Sequence, residues 1–336
     1  MRKVLISASI GCDLDDQQRL YDLLDAGAGM VRVPFWREFE PQITMNLERI
    51  RSYNPHIPFV IDTKSEKIRF GDFFTNPFPL DPNKEYWISS GERAKDPTHL
   101  PLRHKEPCSL CEVGDEIVCG DGEAVLRVKE KNREILLVSP TSYVSLPSRK
   151  GLAIPGRNII SKNMSKIDYE IDYSIRHKVD WLAISFTESP DDIEYVRQRI
   201  MAAGKERPFI MGKIENSQGI RNLEGIVRVS DGIMIARGDL PSHEDYGKMG
   251  LYQKQILKLC NLHKKFGMVS TGTLMSSISR PRPYPSEITD ITNSVLDGAD
   301  AIQLCEETVY DSSDRVNAVL ITKHIIDTTL DYLKHN

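Results

Sequence analysis

The chain has 336 residues, and its 44 lysines and arginines nearly balance 48 aspartates and glutamates, which gives a net charge of −4. This balance argues against nucleic acid as a main partner, because binding to phosphate backbones needs an excess of basic residues. No apolar run approaches the roughly 20 residues that cross a bilayer, so we expect no membrane partner. Six cysteines are too few for a disulfide scaffold, which favours the reducing cytoplasm.

Eight short apolar runs alternate with longer amphipathic segments. Continuous apolar strands separated by helices are typical of a parallel sheet covered on both faces, and eight such units predict an α/β fold, a (β/α)8 TIM barrel. A doubly wound open sheet is the alternative, but Gly11–Cys12–Asp13 is a poor match to the glycine-rich first turn of that fold. The predicted strands are Lys3–Ser9, Met30–Phe35, Pro58–Asp62, Trp181–Ser185, Pro208–Gly212, Gly232–Ala236, Gly267–Thr271 and Ala301–Leu304. The predicted helices include Asp16–Ala26, Lys166–His177, Pro190–Ala203, Tyr252–Lys264, Pro285–Leu296 and Asp314–Leu333.

The alternation stops between about Arg69 and Gly151. This stretch is rich in proline and contains short alternating runs, of which Asp115–Cys119 and Ala124–Val128 flank the hairpin turn Asp121–Gly122. We therefore predict a small all-β domain at 70–150, inserted between the third and fourth units of a barrel formed by 1–69 and 151–336.

Charged and hydroxyl side chains follow six of the predicted strands, whose carboxyl ends form the active face of a barrel. Any one of them alone is best explained as a polar residue at a solvent-exposed strand end, but six together indicate an active site. Lys213 and Glu215 lie two residues apart and so point the same way. Glu215 and Asp239 end neighbouring strands, which suits Mg²⁺, and a lysine beside that metal suits a phosphate or an enolate. The strand-end residues are Arg32, Asp62–Lys64, Lys213–Asn216, Arg237–Asp239, Thr273 and Glu307.

Four segments resemble the pyruvate kinase family: Asp62–Arg69 (DTKSEKIR), Ile210–Leu240, Val269–Met275 and Arg282–Thr308. Together with KVLISASIG near the start and RKGLAIPG in the middle, the resemblance covers almost the whole chain in order. It implies a phosphotransferase that acts on phosphoenolpyruvate or pyruvate with Mg²⁺ or Mn²⁺, and an inserted domain that acts as a lid. The allosteric C-terminal domain of most members is expected to be absent, so we expect a monomer or a homodimer.

The resemblance also implies roles for matching residues. Lys213 would stabilise the transferring phosphoryl group, Arg32 would reach it, and Thr273 would lie beside the enolpyruvate. Glu215 and Asp239 would bind the divalent metal.

Further matches imply contacts with substrate. The backbone of Gly238 and Asp239 would hold the enolpyruvate carboxylate. Asp121 matches an acidic residue of the mobile domain, and Arg69 matches the arginine that closes the DTKGPEIR-like motif.

The monovalent-cation site of the family is altered. The family's arginine, leucine, asparagine, phenylalanine, serine and histidine motif reads RVPFWR here, so an asparagine and a serine that help to hold K⁺ are lost. Asp62 and Thr63 remain, and Lys67 stands where K⁺-dependent members carry glutamate. An ammonium group can replace a bound cation, so we expect that K⁺ is not required.

The acceptor side also departs from the family. Arg37 replaces a histidine near the nucleotide, Trp36 replaces the serine, and Ile167 takes the place of a nucleotide-binding lysine. We expect weak ADP binding, unless Arg37 and the adjacent Lys166 substitute for the lost groups. Whether the enolate is protonated in the usual way is left open, because the relay residues serine and glycine are replaced, at Cys305 and Glu306.

A zinc site is a second hypothesis for the inserted domain. Cys108 and Cys111 have CxxC spacing, with His104 and Cys119 nearby, although an isolated CxxC is more often a pair of ordinary thiols. Cys305 has no histidine close in sequence, so we interpret it as part of the pocket wall rather than as a nucleophile.

Three functions therefore compete. The leading hypothesis is a pyruvate kinase-like phosphotransferase whose acceptor is ADP or a non-standard molecule. A metal-dependent aldolase or decarboxylase acting on a pyruvate enolate would use the same lysine and metal. A non-catalytic binding protein that keeps the pocket is disfavoured, because Lys213, Glu215, Asp239 and Thr273 are retained together.

Overall fold

The computed structural model of the chain describes residues 3–11, 16–63, 67–159, 163–278, 280–305 and 315–335. The residues group into two units. The barrel unit comprises Met1–Ser65, Asn163–Arg237 and Gly250–Asn336, and the β unit comprises Glu66–Lys162 and Gly238–Met249.

The strands of the barrel unit are β1 (Leu5–Ser9), β2 (Met30–Pro34), β3 (Phe59–Asp62), β12 (Trp181–Ile184), β13 (Phe209–Ile214), β14 (Gly232–Ala236), β15 (Phe266–Ser270) and β16 (Ala301–Leu304), with β4 to β11 in the β unit. All eight pair in parallel and close in the order β1-β16-β15-β14-β13-β12-β3-β2. The predicted (β/α)8 barrel is thus confirmed, and the open-sheet alternative is wrong because β1 pairs with both β2 and β16.

An apolar layer fills one level of the barrel lumen. Every strand contributes a side chain to it, and four of these are methionines, while Trp181 and Phe266 pack against the layer from two positions before Ala183 and Met268. Alternate residues of a strand share a face, so the residues two positions further along each strand also face the lumen. The apolar layer consists of Leu5, Met30, Val60, Ala183, Met211, Met234, Met268 and Ala301.

The helices of the barrel unit are α1 (Gln17–Asp25), α2 (Glu40–Tyr53), α3 (Asp168–Arg176), α4 (Pro190–Ala202), α5 (Ser217–Arg221), α6 (Leu223–Val229), α8 (Met249–Leu262), α9 (Pro285–Leu296) and α10 (Arg315–His335). The short α7 (Asp239–His243) belongs to the β unit. Each predicted helix is observed to within three residues at either end.

Local sequence explains several helix ends. Ser189 and Asp192 form a capping box at the start of α4, with Pro190 at the first helical position. Gly27 and Gly298 follow α1 and α9 with φ of 116° and 98°, values that favour glycine. Within the described ranges, no helix combines the length and the apolar character needed to cross a membrane.

The strands of the β unit are β4 (Phe78–Leu80), β5 (Tyr86–Ser90), β6 (His99–Leu102), β7 (Glu116–Cys119), β8 (Ala124–Lys131), β9 (Leu136–Pro140), β10 (Val144–Leu146) and β11 (Leu152–Ala153). Six form a sheet in the order β11-β7-β8-β9-β5-β6, and β10 pairs with β4. The predicted hairpin is confirmed, because β7 and β8 are antiparallel with Cys119 opposite Ala124, and Gly120 and Gly122 have φ of 60° and 93°.

The β unit is larger than the predicted insertion at 70–150. It extends to residues 66 and 162 and includes Gly238–Met249. Two hydrogen bonds attach that segment: the Gly156 N–H donates to the His243 carbonyl at 2.9 Å, and the Ser242 hydroxyl lies 3.5 Å from the Gly120 carbonyl. These contacts join residues more than eighty positions apart, so no local sequence pattern predicts them.

Candidate active site

A polar layer lies next to the apolar layer, toward the carboxyl ends of the strands. Seven strands contribute to it, each with a side chain two residues beyond its member of the apolar layer. The polar layer consists of Ser7, Arg32, Asp62, Ser185, Lys213, Ser270 and Gln303, of which all but Arg32 are buried.

Asp62 lies between two cations. One carboxylate oxygen accepts hydrogen bonds from Arg32 Nε at 3.0 Å and Nη2 at 2.7 Å, and the other accepts from Lys213 Nζ at 2.9 Å. Burial alone would raise the pKa of Asp62, but the charges of Lys213 and Arg32 outweigh it and hold the pKa below its ordinary value. Asp62 is therefore an ionised group that fixes both cations.

Lys213 is a buried ammonium with three polar partners. Its Nζ lies 2.9 Å from Asp62, 3.0 Å from Ser185 Oγ and 3.2 Å from Glu215 Oε1. Burial would lower the pKa of Lys213, but the carboxylates of Asp62 and Glu215 keep it above the ordinary value. Lys213 and Glu215 point the same way, as predicted, and Lys213 stays charged.

Glu215 is held by the backbone of the β12 strand end. Its Oε2 accepts the Phe186 N–H at 2.5 Å, and Phe186 has a φ of 49°. A non-glycine residue in that region is uncommon and marks a position fixed by its surroundings. The Glu215 carboxylate therefore has one oxygen toward a backbone donor and one toward Lys213.

The loop after β15 contains two threonines, Thr271 and the predicted site residue Thr273. Thr271, Gly272 and Leu274 have φ of 72°, 74° and 54°, so the strand alternation ends at Ser270. Thr273 is 1% exposed, and its hydroxyl accepts from Arg237 Nη2 at 3.2 Å. Thr271 is only half-buried.

Arg237 holds this loop. Its Nε and Nη2 donate to the Thr271 carbonyl at 3.0 and 2.9 Å, and its Nη1 donates to Asp290 at 2.6 Å and to Gln253 at 3.2 Å. The guanidinium thus joins the end of β14 to the loop after β15 and to helices α8 and α9.

Four predicted residues come together within the β unit. Lys67, Arg69, Asp121 and Asp239 line one cavity of about 180 Å³, with Lys67 Nζ 2.5 Å from Asp239 Oδ1. Gly238 immediately precedes Asp239. The role of Lys67 as a substitute for K⁺ stays a prediction. Its ion-pair partner in the β unit, Asp239, is a predicted metal ligand.

On the predicted acceptor side, Arg37 of the barrel unit is exposed, whereas Trp36, Glu40 and Tyr169 are half-buried. The Arg37 guanidinium lies 4.1 Å from the centre of the Tyr169 ring, and the Tyr169 hydroxyl bonds Glu40. These residues line an open groove of about 590 Å³ together with Glu38, Thr44 and Glu48. Ile167, in the place of the family's lysine, is buried.

The predicted zinc ligands are His104 and three cysteines of the β unit. Across the ranges that the structure describes, no group of three or more His, Cys, Asp or Glu side chains is arranged to hold a metal ion. Burial raises the pKa of Cys111 to about 11 and raises the pKa values of Cys108 and Cys119 as well. The described residues therefore give no support to the zinc hypothesis for His104, Cys108, Cys111 and Cys119, which stays a prediction.

Several predictions fall on residues outside the described ranges, namely Lys64, Glu306 and Glu307. Cys305, at the end of β16, is half-buried. Sequence reasoning missed Ser185, the Phe186 N–H, Gln303 and the loop contacts of Arg237. Ser185 was detectable, because it ends a predicted strand, whereas the partners of Arg237 lie on remote helices.

A model of the pyruvate kinase barrel domain matches residues 1–313. The chain belongs to the pyruvate kinase family. It is 30% identical over 330 residues to a pyruvate kinase of Thermoplasma acidophilum, which covers 98% of the chain and 58% of that relative. It is 30% identical over 336 residues to a pyruvate kinase of Thermococcus litoralis, with 98% and 70% covered.

A plastidial pyruvate kinase of Arabidopsis thaliana is 27% identical over 315 residues, with 92% of the chain and 54% of that relative covered. The chain thus spans little more than half the length of several pyruvate kinases that it matches.

Proposed function

We propose that the chain catalyses phosphoryl transfer between phosphoenolpyruvate and an acceptor, as an enzyme of the pyruvate kinase type. The observation that carries the proposal is the pair of cations, Lys213 and Arg32, fixed on either side of Asp62 in the polar layer. Phosphoryl transfer needs charge stabilisation by groups that are already in place, since little covalent chemistry falls to the protein. A charged lysine held by carboxylates needs no reorganisation when negative charge develops.

Glu215 and Asp239 are the proposed ligands of Mg²⁺ or Mn²⁺. Carboxylate oxygens suit these hard cations, and Mg²⁺ takes few protein ligands because water and phosphate oxygens complete its shell. Bound metal would neutralise charge on the phosphoryl oxygens. We propose that K⁺ is not required, because Lys67 supplies a fixed positive charge next to Asp239.

The threonine that faces substrate is proposed to be Thr271 rather than Thr273. The Thr273 hydroxyl is buried against Arg237, whereas Thr271 is half-buried directly after β15. Thr271→Val should then lower turnover more than Thr273→Val. Equal activity of the two variants, both folded by circular dichroism, would contradict this assignment.

The acceptor is proposed to be ADP bound weakly, or a different molecule. We propose that Arg32 contacts the phosphoryl group, and that Arg69, Asp121 and the Gly238 backbone contact the substrate, with Asp121 supplied by the lid. The protein is proposed to be a cytoplasmic monomer or homodimer. Phosphorus NMR of the protein with phosphoenolpyruvate, Mg²⁺ and ADP tests the reaction directly. Loss of the phosphoenolpyruvate resonance with growth of a nucleoside triphosphate supports ADP, whereas release of pyruvate with no phosphorylated product other than free phosphate contradicts phosphoryl transfer to an acceptor.

A further inference from the structure

Two buried polar atoms in the barrel lumen lie on neighbouring strands at the same level. Ser7 is opposite Gln303 in the parallel register of β1 and β16, and the two residues are 0% and 4% exposed. Both face the lumen, because Leu5 and Ala301, two residues before them, belong to the apolar layer. Ser7 Oγ and Gln303 Oε1 have no hydrogen-bond partner among the described residues.

Such a pair is costly unless something between the atoms satisfies it. A buried hydroxyl or amide without a partner destabilises a fold, so buried polar atoms are nearly always bonded to protein or to ordered water. Ser7 Oγ is both donor and acceptor, and Gln303 Oε1 is an acceptor. A single water molecule can donate to the amide oxygen and bond the serine at the same time.

The other end of the Gln303 amide leads toward the mouth of the barrel. Its Nε2 donates to Ser270 Oγ at 3.1 Å, and Ser270 Oγ lies 3.4 Å from Thr271 Oγ1. If the amide is turned round, its oxygen bonds Ser270 and its NH₂ faces the other way, so one polar end still needs a partner.

We propose that the lumen holds a structural water between Ser7 and Gln303, and that this water fixes the Gln303 amide so that it donates to Ser270. Ser270 can then donate to Thr271, which leaves the Thr271 hydroxyl hydrogen free for the ligand in the mouth. Gln303 and Ser7 act as positioning residues. The last link, to a ligand at Thr271, rests on the proposed function.

The water is tested by Ser7→Ala in two backgrounds, with thermal unfolding of the apo protein as the measurement. In the natural background the water loses an anchor, so the midpoint should fall by roughly 2–4 °C. In a Gln303→Met background the water has no second anchor, so Ser7→Ala should change the midpoint by less than about 1 °C. A midpoint that is unchanged or raised by Ser7→Ala in the natural background, or an equal fall in both, would overturn the proposal.

Ser174→Ala is the matched control. Ser174 Oγ is also buried without a partner among the described residues, but it lies on α3 rather than in the lumen. Its effect on the midpoint should be the same with glutamine or methionine at position 303. A change in that effect would show that Gln303→Met acts through the whole barrel, which would overturn the interpretation of the first test.

The link to Thr271 is tested by turnover with phosphoenolpyruvate. Ser7 touches no ligand, yet Ser7→Ala should lower kcat several-fold with the KM for phosphoenolpyruvate unchanged, and this loss should vanish in a Thr271→Val background. An undiminished kcat, or the same loss in both backgrounds, would overturn the link. If the natural protein turns over no phosphoenolpyruvate, the proposed function and this link fail, while the unfolding test of the water still stands.

Discussion

The phosphoryl side and the acceptor side of the proposed site are held in different ways. Lys213, Asp62 and Arg32 extend from barrel strands into the lumen, where Asp62 accepts hydrogen bonds from both cations at 2.7 to 3.0 Å. Arg37 and Tyr169 lie on an open groove and interact mainly with each other and with Glu40. The first arrangement is rigid and prepared for charge, whereas the second offers little that is fixed for a nucleotide.

Among substitutions that test this difference between the two sides, we expect the largest loss of turnover at Lys213. Lys213→Met should lower turnover at least about 10²-fold, because it removes a preorganised charge that acts on the transition state. Metal binding should not be lost, since Lys213 is not a ligand and its removal frees the Glu215 oxygen that it contacts at 3.2 Å. Steady-state kinetics of the variant measure this, with Lys205→Met, an exposed lysine, as the control. A loss of less than threefold would mean that Lys213 does not act on the phosphoryl group.

Glu215 separates metal binding from charge stabilisation. Glu215→Gln should raise the dissociation constant for Mn²⁺ by at least about tenfold, because it removes one of few protein ligands. Calorimetry or electron paramagnetic resonance of Mn²⁺ measures this without any turnover. Glu224→Gln, which alters an exposed ion pair on α6, should leave the affinity unchanged, and an unchanged affinity for Glu215→Gln would remove Glu215 from the metal site.

Arg237→Lys tests whether Arg237 holds the loop after β15 in place. Lysine keeps the charge but loses the planar fork that bonds the Thr271 carbonyl and Asp290 together. Turnover should fall about tenfold, because small displacements of reacting groups are costly. Hydrogen exchange of residues 271–275 should accelerate in the same variant, and unchanged exchange would mean that Arg237 does not hold the loop.

Lowering the pH should reduce the free energy of unfolding, because Asp62 becomes protonated. Its pKa is lowered in the folded state, so the stabilisation is present above the unfolded value and is lost as pH falls below about 4 through the folded value. Denaturant titrations from pH 7 to 3 should show a loss of stability that is smaller in Asp62→Asn. Parallel pH profiles of the two proteins would contradict the assignment.

The smallest effect is expected on the acceptor side. Arg37→Ala should change the affinity for phosphoenolpyruvate less than about twofold, because an exposed guanidinium over an aromatic ring contributes little to a distant anion. Titration calorimetry of phosphoenolpyruvate measures this. A tenfold loss would place Arg37 at the phosphoryl group and erase the contrast between the two sides.

The sequence predicted those parts of the site that follow strand periodicity. Lys213 and Glu215, two apart on one strand, face the same way and contact each other. The assignment of Thr273 followed the order of residues in the motif, whereas the left-handed residues Thr271, Gly272 and Leu274 break the alternation. No periodicity extends across such a loop, so sequence alone could not tell which threonine is buried.

Contacts between residues that lie far apart in the sequence could not be predicted either. Asp290 lies 53 positions from Arg237, and Asp239 lies 172 positions from Lys67. Each pair depends on how the chain closes in three dimensions. The strands and most helices were predicted because their signals are local, namely short apolar runs for the strands and amphipathic periodicity for the helices.

The central claim is that the phosphoryl side is intact while the acceptor side is weakened. Calorimetric titration of one protein preparation with phosphoenolpyruvate and, separately, with ADP, each in the presence of Mg²⁺, tests it most directly. We predict measurable binding of phosphoenolpyruvate that Lys213→Met reduces, and ADP binding at least about tenfold weaker, a difference of roughly 1.4 kcal/mol. ADP binding as tight as that of phosphoenolpyruvate, or no binding of phosphoenolpyruvate, would contradict the account.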